Sequence, residues 1–222
     1  MTTDFRNLTP RQLGYTFPAE WEKHSATWLS YPHNENSWPG RINNIFQAYN
    51  QFIKEISKGE DVNINVQNEE MLNKVKTDLS AIGTNMSKIK FFVHPTNDAW
   101  CRDHGPAFLI NPKSDKPKVI VNWEYNAWGN KYPHDLDNTT PLKIAEKLGL
   151  QVFNAGIVME GGAVDFNGKG TLITSKACLL NKNRNPLLTQ TQIENYLCDY
   201  YGVDQVLWVN DGIEGDDTDG HI

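Results

Sequence analysis

The residues with the clearest chemical potential lie in four segments rich in polar and aromatic side chains. The first, residues 96–106 (TNDAWCRDHGP), follows a predicted buried strand, and strand ends are where α/β proteins place ligand sites. Two carboxylates, Asp98 and Asp103, flank Trp100 and Arg102 there. Carboxylates beside an aromatic ring could bind a cation. The same residues are also compatible with a local Arg102–Asp103 ion pair and a packed tryptophan.

Two further segments place aromatic residues and an acid in irregular parts of the chain. Residues 123–132 (WEYNAWGNKY) surround a glycine with aromatic side chains, including Trp128. Such a cluster suits the wall of a pocket, although core packing beneath a loop explains it equally well. Residues 159–164 (MEGGAV) place Glu160 before two glycines, which allow close backbone approach and could direct the acid inward. A solvated glutamate in a turn is the alternative.

The fourth segment, residues 215–221 (GDDTDGH), combines aspartates with a histidine. A calcium loop does not fit, because placing Gly220 at the sixth position puts Gly215 at the first ligand position. The histidines of the chain form no i,i+4 pair or similar metal-ligand spacing, so the sequence predicts no metal site. His221 beside acidic residues remains, and this is a suitable environment for a general acid/base.

The carboxylates, tryptophans and histidine of these segments form a coherent set if the substrate is a guanidinium. Carboxylates accept paired, charge-assisted hydrogen bonds from the planar guanidinium group. Aromatic faces attract a delocalised cation. Spacing alone does not establish this chemistry.

The four segments must be positioned by alternating helices and strands. Apolar residues at helical spacing predict helices over residues 41–58, 69–82, 141–148 and 190–201. Strands are predicted near residues 61–66, 89–93, 108–110, 119–123, 151–154, 163–166, 171–175 and 205–209, with an irregular stretch over 124–140. The recurring strand–helix–strand order predicts an α/β fold of repeated units. No linker or compositional break divides the chain, which predicts a single domain over residues 1–222.

Composition and charge narrow the class of protein. Hydrophobic residues make up 39% of the 222 residues and the net charge is −6, so the sequence indicates a globular protein without a basic surface for nucleic acid. We find no signal peptide and no apolar stretch long enough to cross a bilayer. Cys101, Cys178 and Cys198 are odd in number and far apart, which argues against a disulfide scaffold or a structural zinc site. The sequence predicts a cytoplasmic protein without a membrane partner.

In order and in type, these segments resemble the agmatine deiminase family, which includes bacterial-type peptidylarginine deiminases and belongs to the guanidine-modifying pentein superfamily. The stretches that carry the resemblance are PAEWE (18–22) with WLSYP (28–32), NDAWCRDHGP (97–106), NAWGNKY (126–132), EGG (160–162), CLLNKNRNP (178–186) and GDDTDGH (215–221). Six ordered motifs are far more specific than any one of them.

The resemblance implies a pentein fold, which is a five-bladed α/β propeller with pseudo-fivefold symmetry. This chain would hold its N-terminal three to four units. The resemblance assigns substrate binding to acidic and aromatic residues: Asp98, Trp100, Asp103 and Trp128. It assigns catalytic roles to Glu160, which would hold the guanidinium, and to His221, which would be the general acid/base.

The chain departs from the family pattern in two respects. The family has an aspartate two residues after the histidine and a nucleophilic cysteine near the C-terminus, and neither is present in these 222 residues. We therefore expect residues 1–222 to form a single incomplete deiminase domain, truncated before its last blades. Such a fragment is predicted to be inactive, and unpaired edges could make it poorly soluble or a homo-oligomer.

For the intact protein, the resemblance implies hydrolysis of agmatine to N-carbamoylputrescine and ammonia, a reaction of putrescine and polyamine biosynthesis. The implied mechanism is Cys/His covalent catalysis with no metal or organic cofactor. A deiminase of peptidylarginine or of another guanidino compound is a second interpretation. A catalytically inactive family member that binds a cation or a partner is a third.

Overall fold

The computed structural model describes residues 8–222, and these residues form two compact units. The smaller unit comprises residues 23–101 and 135–137, and the larger unit comprises residues 8–22, 102–134 and 138–222. The start of the chain, where the sequence predicts no signal peptide, lies outside the described residues. The single incomplete domain over residues 1–222 stays a prediction.

The smaller unit is a parallel sheet whose strands are joined by helices. Its main elements are β1 (Ala26–Ser30), α1 (Ile42–Ile56), β2 (Asp61–Val66), α2 (Glu69–Ala81) and β3 (Ile89–Val93). The strand order is β1-β2-β3, and both pairings are parallel. Parallel neighbours need a long crossover, which α1 and α2 supply here.

The central strand β2 is buried on both faces. Its apolar side chains are covered by the helices and the sheet, and Asn63 and Asn65 are buried as well. Asn65 accepts a hydrogen bond from Trp28 Nε1 at 2.9 Å and donates one to Ser30 Oγ at 3.2 Å. Asn65 therefore bonds within the sheet instead of facing solvent, as buried polar groups usually do.

The first sheet of the larger unit contains β4 (Ala107–Ile110), β5 (Lys118–Glu124) and β6 (Gln151–Val158). β5 lies in the middle, antiparallel to β4 and parallel to β6. The one-turn helix α3 (Cys101–His104) precedes β4, while α4 (Ala127–Asn130) and α5 (Thr140–Leu148) connect β5 to β6. The polar segments next to these strands therefore begin at strand ends that are held by neighbouring strands and helices.

The second sheet of the larger unit contains β7 (Val164–Phe166), β8 (Thr171–Ser175) and β9 (Gln205–Val209). β8 is antiparallel to β7 and parallel to β9. The crossover from β8 to β9 includes α6 (Lys176–Leu179) and α7 (Gln190–Tyr201). Thr189 and Gln192 form a reciprocal capping box at the start of α7, which satisfies two N–H groups and fixes where the helix begins.

Both sheets of the larger unit share one hydrophobic core. Val121 and Phe153 from the first sheet, Leu172 from the second, and Ile193 and Leu197 from α7 belong to the same buried cluster. Burying a leucine side chain of this kind stabilises the fold by about 2 kcal/mol. The loops that leave these elements therefore start from rigid positions.

The predicted helices and most predicted strands are present, with shifted ends. Helices α1, α2, α5 and α7 correspond to the four predicted ones, and β6 continues to Val158, beyond the predicted end at residue 154. β1 is absent from the sequence prediction, because its sequence ATWLS is short and has no clear alternation. The stretch predicted as irregular contains α4 and the 3-10 helix Asp137–Thr139.

In the described part of the chain, three three-stranded sheets accompanied by helices confirm the predicted α/β class. The closed five-bladed propeller, and the number of its units in this chain, stay predictions. Over residues 8–222, no helix combines the length and apolar character that crossing a bilayer requires.

Candidate functional site

Glu160 lies just after β6, where the chain turns into the 3-10 helix Gly161–Ala163. Its side chain has no exposed surface. Oε1 accepts a hydrogen bond from Arg184 Nε at 2.6 Å, and Oε2 accepts one from the Cys178 thiol at 3.2 Å. The acid of this double-glycine turn is therefore directed inward and is not a solvated turn residue.

Asp103 reaches the same place from α3. Oδ1 accepts a hydrogen bond from the Gly162 N–H at 2.9 Å, and Oδ2 accepts one from Trp128 Nε1 at 3.1 Å. A Cβ atom on residue 162 would lie 2.4 Å from Asp103 Oδ1 and 2.5 Å from His221 Nδ1. Only glycine leaves room for this approach. The second glycine after Glu160 therefore lets the three polar segments meet.

Arg102 fastens α3 to the turn that carries Glu160. Its Nε donates to the Gly161 carbonyl at 3.1 Å, Nη2 donates to the Val164 carbonyl at 3.3 Å, and Nη1 pairs with Glu20. The local Arg102–Asp103 ion pair considered from the sequence is therefore not how Arg102 is used. Its contacts leave the Asp103 carboxylate to other partners.

His221 follows a polar loop that holds its imidazole between the two acids. Its backbone N–H donates to Asp216 Oδ2 at 3.2 Å and to Thr218 Oγ1 at 3.1 Å. Nδ1 lies 3.8 Å from Asp103 Oδ1, and Nε2 lies 3.6 Å from Glu160 Oε2. These separations are too long for hydrogen bonds but allow strong electrostatic interaction. The ring therefore lies between the two carboxylates.

Trp128 projects its indole from a left-handed turn. Trp128 has φ 56° and Gly129 has φ 95° within α4. The Asn126 side chain accepts a hydrogen bond from the Gly129 N–H at 2.9 Å and donates to the Asn183 carbonyl at 2.9 Å. Non-glycine residues rarely adopt positive φ, and such strain is found mostly at functional sites. The turn thereby directs the indole N–H at Asp103.

Arg184 and Asp219 join this group of residues, although the sequence analysis gave neither a role. Arg184 is buried and donates to Asp219 Oδ2 at 2.7 Å and to the Thr218 carbonyl at 2.8 Å, in addition to its bond with Glu160. Lys131 Nζ lies 2.9 Å from Asp219 Oδ1. An arginine in a polar loop is usually solvent-exposed. Its presence in the CLLNKNRNP motif was the one signal that pointed to it.

Burial and charge shift the two central acids in opposite directions. Burial raises the pKa of Asp103 above its ordinary value; the nearby His221 opposes this shift, and the Glu160 charge adds to it. Burial also raises the pKa of Glu160, but His221 and Arg184 outweigh it and hold that pKa below its ordinary value. At neutral pH, Glu160 is therefore ionised, and Asp103 is the acid that takes up a proton more readily.

Asp219 forms the charged outer edge of the site. Burial acts to raise its pKa, but hydrogen bonds from Arg184, Asn183 and Lys131 hold the pKa at about 2. The loop before His221 therefore contributes a permanent negative charge that is paired with two cations. Its position is further fixed by the Ser175 hydroxyl, which donates to the Gly220 carbonyl.

Glu160, Cys178 and His221 present ligand atoms within 4.8 Å of one another, so a metal ion has to be considered. The Arg184 guanidinium already neutralises Glu160 at 2.6 Å. Burial and the Glu160 charge raise the pKa of the Cys178 thiol, which disfavours the thiolate that metals bind. These residues fit an organic cation better than a metal.

Asp98 and Trp100, the other two predicted substrate-binding residues, belong to the smaller unit. Asp98 accepts hydrogen bonds from Ser37 Oγ and from Asn34 Nδ2, the latter at 3.1 Å. Trp100 is 42% exposed, and its ring lies 5.7 Å from that of Trp38. Their part in substrate binding stays a prediction.

Asp103, Glu160, His221 and Trp128 are thus brought together within the larger unit from four segments of the sequence. Two carboxylates, an imidazole and an indole can surround a flat cation and exchange a proton with it. The assignment of catalytic and binding roles to these residues stays a prediction, whereas their convergence is a property of the fold.

Comparison with known proteins identifies similar chains. The family model for Porphyromonas-type peptidyl-arginine deiminase matches residues 16–222. The agmatine deiminase of Pseudomonas syringae pv. tomato is 37% identical over 222 aligned residues, which cover 97% of this chain and 58% of that protein.

Two solved structures share the α/β fold of this chain. The agmatine deiminase of Enterococcus faecalis has a TM-score of 0.89 at 32% identity, covering 99% of this chain and 59% of its own. A cysteine-to-serine variant of the C. jejuni agmatine deiminase, with substrate bound, has a TM-score of 0.82 at 33% identity, covering 94% of this chain and 60% of its own. The chain therefore spans about 60% of the length of these relatives.

Proposed function

Because this chain belongs to the Porphyromonas-type peptidyl-arginine deiminase family, we propose that its larger unit forms the guanidinium-binding and proton-transfer part of a guanidine deiminase. The observation that carries the proposal is the meeting of Asp103, Glu160 and His221, with both ring nitrogens of His221 within 3.8 Å of a carboxylate oxygen. Agmatine is the proposed substrate, since the relatives described above are named for it.

Two carboxylates in one group of side chains suit the recognition of a guanidinium. The cation is planar and carries its N–H groups in a fork, so each carboxylate can accept charge-assisted hydrogen bonds from it. Glu160 supplies a charge that persists at neutral pH, because Arg184 and His221 lower its pKa. Asp103 completes the negative charge when the cation binds. Trp128 lies next to these carboxylates, because its indole N–H donates a hydrogen bond to Asp103.

The proposed reaction is hydrolytic and proceeds through a covalent adduct. A cysteine thiolate attacks the guanidinium carbon, a C–S bond forms, and the C–N bond breaks as His221 protonates the departing ammonia. The imidazole then removes a proton from water, whose oxygen attacks the same carbon and displaces the thiolate. Agmatine and water would thereby yield N-carbamoylputrescine and ammonia, with the carboxylates stabilising the cationic intermediates.

We propose that the nucleophilic thiol is supplied by a residue outside these 222. The Cys178 thiol is buried and bonded to Glu160, and burial followed by the Glu160 charge raises its pKa. Burial also raises the pKa of Cys198, which lies in α7. A nucleophilic cysteine needs the opposite environment. Cys101 belongs to the smaller unit and has no nucleophile role in the resemblance.

The proposal makes binding and turnover separable for this chain. We expect calorimetric titration to detect agmatine binding. Putrescine, in which an amine replaces the guanidinium, should bind at least about tenfold more weakly than agmatine. The variants D103N and E160Q should each weaken agmatine binding without changing putrescine binding to the same extent. Ammonia release from agmatine by the 222 residues alone should be undetectable.

Other outcomes would favour other functions. If agmatine and putrescine bound equally well, and neither D103N nor E160Q changed their binding, the proposed guanidinium site would be wrong. Preference for an arginine held in peptide linkage over agmatine would favour the peptidylarginine interpretation. Turnover by the chain alone would contradict the assignment of the nucleophile.

A further inference from the structure

We propose that Arg184 is a positioning residue that orients Glu160 and the loop carrying His221 toward one another. The inference rests on the proposed function, because it concerns how the same site is held in its working geometry. Arg184 itself is buried behind Glu160, so it is not offered as a group that touches the substrate.

The three nitrogens of one guanidinium each have a separate task. Nε donates to Glu160 Oε1 at 2.6 Å, Nη1 donates to Asp219 Oδ2 at 2.7 Å, and Nη2 donates to the Thr218 carbonyl at 2.8 Å. The first bond holds the proposed substrate carboxylate. The other two hold residues two and three positions before His221. Arg184 is therefore a direct link between the acid and the base.

The bond to Oε1 decides what the second oxygen of Glu160 can do. Oε2 therefore faces the Cys178 thiol, at 3.2 Å, and His221 Nε2, at 3.6 Å. Rotation of the carboxylate would break the 2.6 Å bond to Arg184 Nε. The planar, rigid guanidinium therefore fixes both the position and the rotation of Glu160.

Arg184 also compensates the charge of Glu160, whose side chain has no exposed surface. The charged or titratable groups that face Glu160 are Arg184, His221, Cys178 and Asp103. Arg184 is the permanent cation of this set, whereas Asp103 and a thiolate would only add negative charge. Removing one member of a buried ion pair leaves the other uncompensated, and a buried carboxylate then takes up a proton.

A purely structural arginine would make a different prediction. If Arg184 only stabilised the loop, its loss would lower protein stability and reduce agmatine affinity by the same factor at every pH. A positioning residue acts through Glu160, so its loss should make the affinity depend on the protonation of that acid.

The test compares R184M with D219N in the full 222-residue chain. R184M removes the cation and keeps an unbranched side chain, whereas D219N removes a loop contact and leaves the Arg184–Glu160 pair intact. Carbon-13 NMR of labelled glutamate, with the Glu160 signal assigned from E160Q, reports ionisation directly. In R184M we expect the pKa of Glu160 to lie above the ordinary glutamate value. In D219N we expect Glu160 to stay ionised over the pH range in which it titrates in R184M.

Agmatine titration over the same pH range supplies the second measurement. In R184M the affinity should fall by about tenfold for each pH unit below the new Glu160 pKa and recover above it. D219N should change affinity by a factor that hardly varies with pH. A Glu160 that stays ionised in folded R184M would overturn the inference.

The two measurements separate this inference from the proposed function. If the wild-type chain failed to bind agmatine, the proposed function would fall, and the NMR titration would still decide the role of Arg184. If R184M did not fold, R184K would serve instead, since it retains the charge but lacks the planar fork of three nitrogens that reaches Glu160, Asp219 and Thr218 together. We expect R184K to keep Glu160 ionised and to lose agmatine affinity by about tenfold. Wild-type affinity in R184K would contradict the proposal.

Discussion

The indole Nε1 of Trp128 donates a 3.1 Å hydrogen bond to Oδ2 of Asp103, and the tryptophan that does so has a φ of 56°. Its neighbours are also left-handed, with φ 48° at Ala127, 95° at Gly129 and 61° at Asn130. Positive φ is unfavourable for residues that carry a Cβ. The tertiary structure therefore maintains a costly turn at the point where an aromatic side chain reaches a buried acid.

Replacing Trp128 with phenylalanine tests the value of this hydrogen bond. The variant keeps an aromatic ring but removes a donor that opposes the effect of burial on Asp103, so the pKa of Asp103 should rise further. We expect agmatine affinity to fall by about tenfold near neutral pH, the usual effect of losing a hydrogen bond to a charged group, and by less as pH rises. Calorimetry across that range measures the change, and equal affinities of both proteins at every pH would contradict it.

The cost of the left-handed turn can be measured with alanine-to-glycine pairs. Ala127 has φ 48°, whereas Ala145 lies in α5, and both are buried. A145G should lower the free energy of unfolding by about 1 kcal/mol, the usual penalty of glycine in a helix. A127G should be neutral or stabilising, because the relief of strain offsets the greater freedom of the unfolded chain. Chemical unfolding of both variants gives the comparison, and equal destabilisation would show that the turn is unstrained.

Much of the architecture follows from the sequence because it depends on local patterns. The apolar spacing that predicts α1 also buries Ile53 in the core, and the strand predicted near residues 171–175 matches β8. Glu160 could be singled out because paired glycines after an acid allow close approach. The close contact at Gly162, where a Cβ would meet Asp103 and His221, gives that pattern its physical cause.

The remainder could not be predicted because it depends on contacts between distant segments. Nothing in the sequence near Arg184 shows that its guanidinium is buried between Glu160 and Asp219. The sequence also does not predict the left-handed turn at Trp128, because local preference opposes this conformation and tertiary contacts hold it. Pattern analysis therefore identified the residues that face one another but missed the arginine that holds them.

Agmatine binding should release protons in mildly acidic solution. Burial, added to by the Glu160 charge and opposed by His221, raises the pKa of Asp103 above its ordinary value, so the free protein starts to protonate this carboxyl at a higher pH than an exposed aspartate would. A bound cation favours the ionised form and lowers that pKa, and the proton is transferred to the buffer. The measurement is calorimetry in two buffers of different ionisation enthalpy.

The matched control for this release is D103N, which cannot ionise at that position. We expect its proton release to be much smaller than that of the wild type, and its affinity to vary less with pH. Proton release of equal size in both proteins would mean that another group is the one that titrates on binding.

Adding a single methyl group at Gly162 should abolish the site. A Cβ there would lie 2.4 Å from Asp103 Oδ1 and 2.5 Å from His221 Nδ1, so G162A must push apart the acid and the imidazole that the site needs together. In G59A the new Cβ would lie 3.9 Å from the Ile56 carbonyl, an ordinary contact, which makes it the matched control.

We expect G162A to lose agmatine affinity by more than about tenfold with only a moderate loss of stability, because both displaced groups are side chains. G59A should keep wild-type affinity. Calorimetry together with chemical unfolding distinguishes the two effects, and G162A binding agmatine as tightly as G59A would show that the close approach of Asp103 and His221 is not what holds the cation.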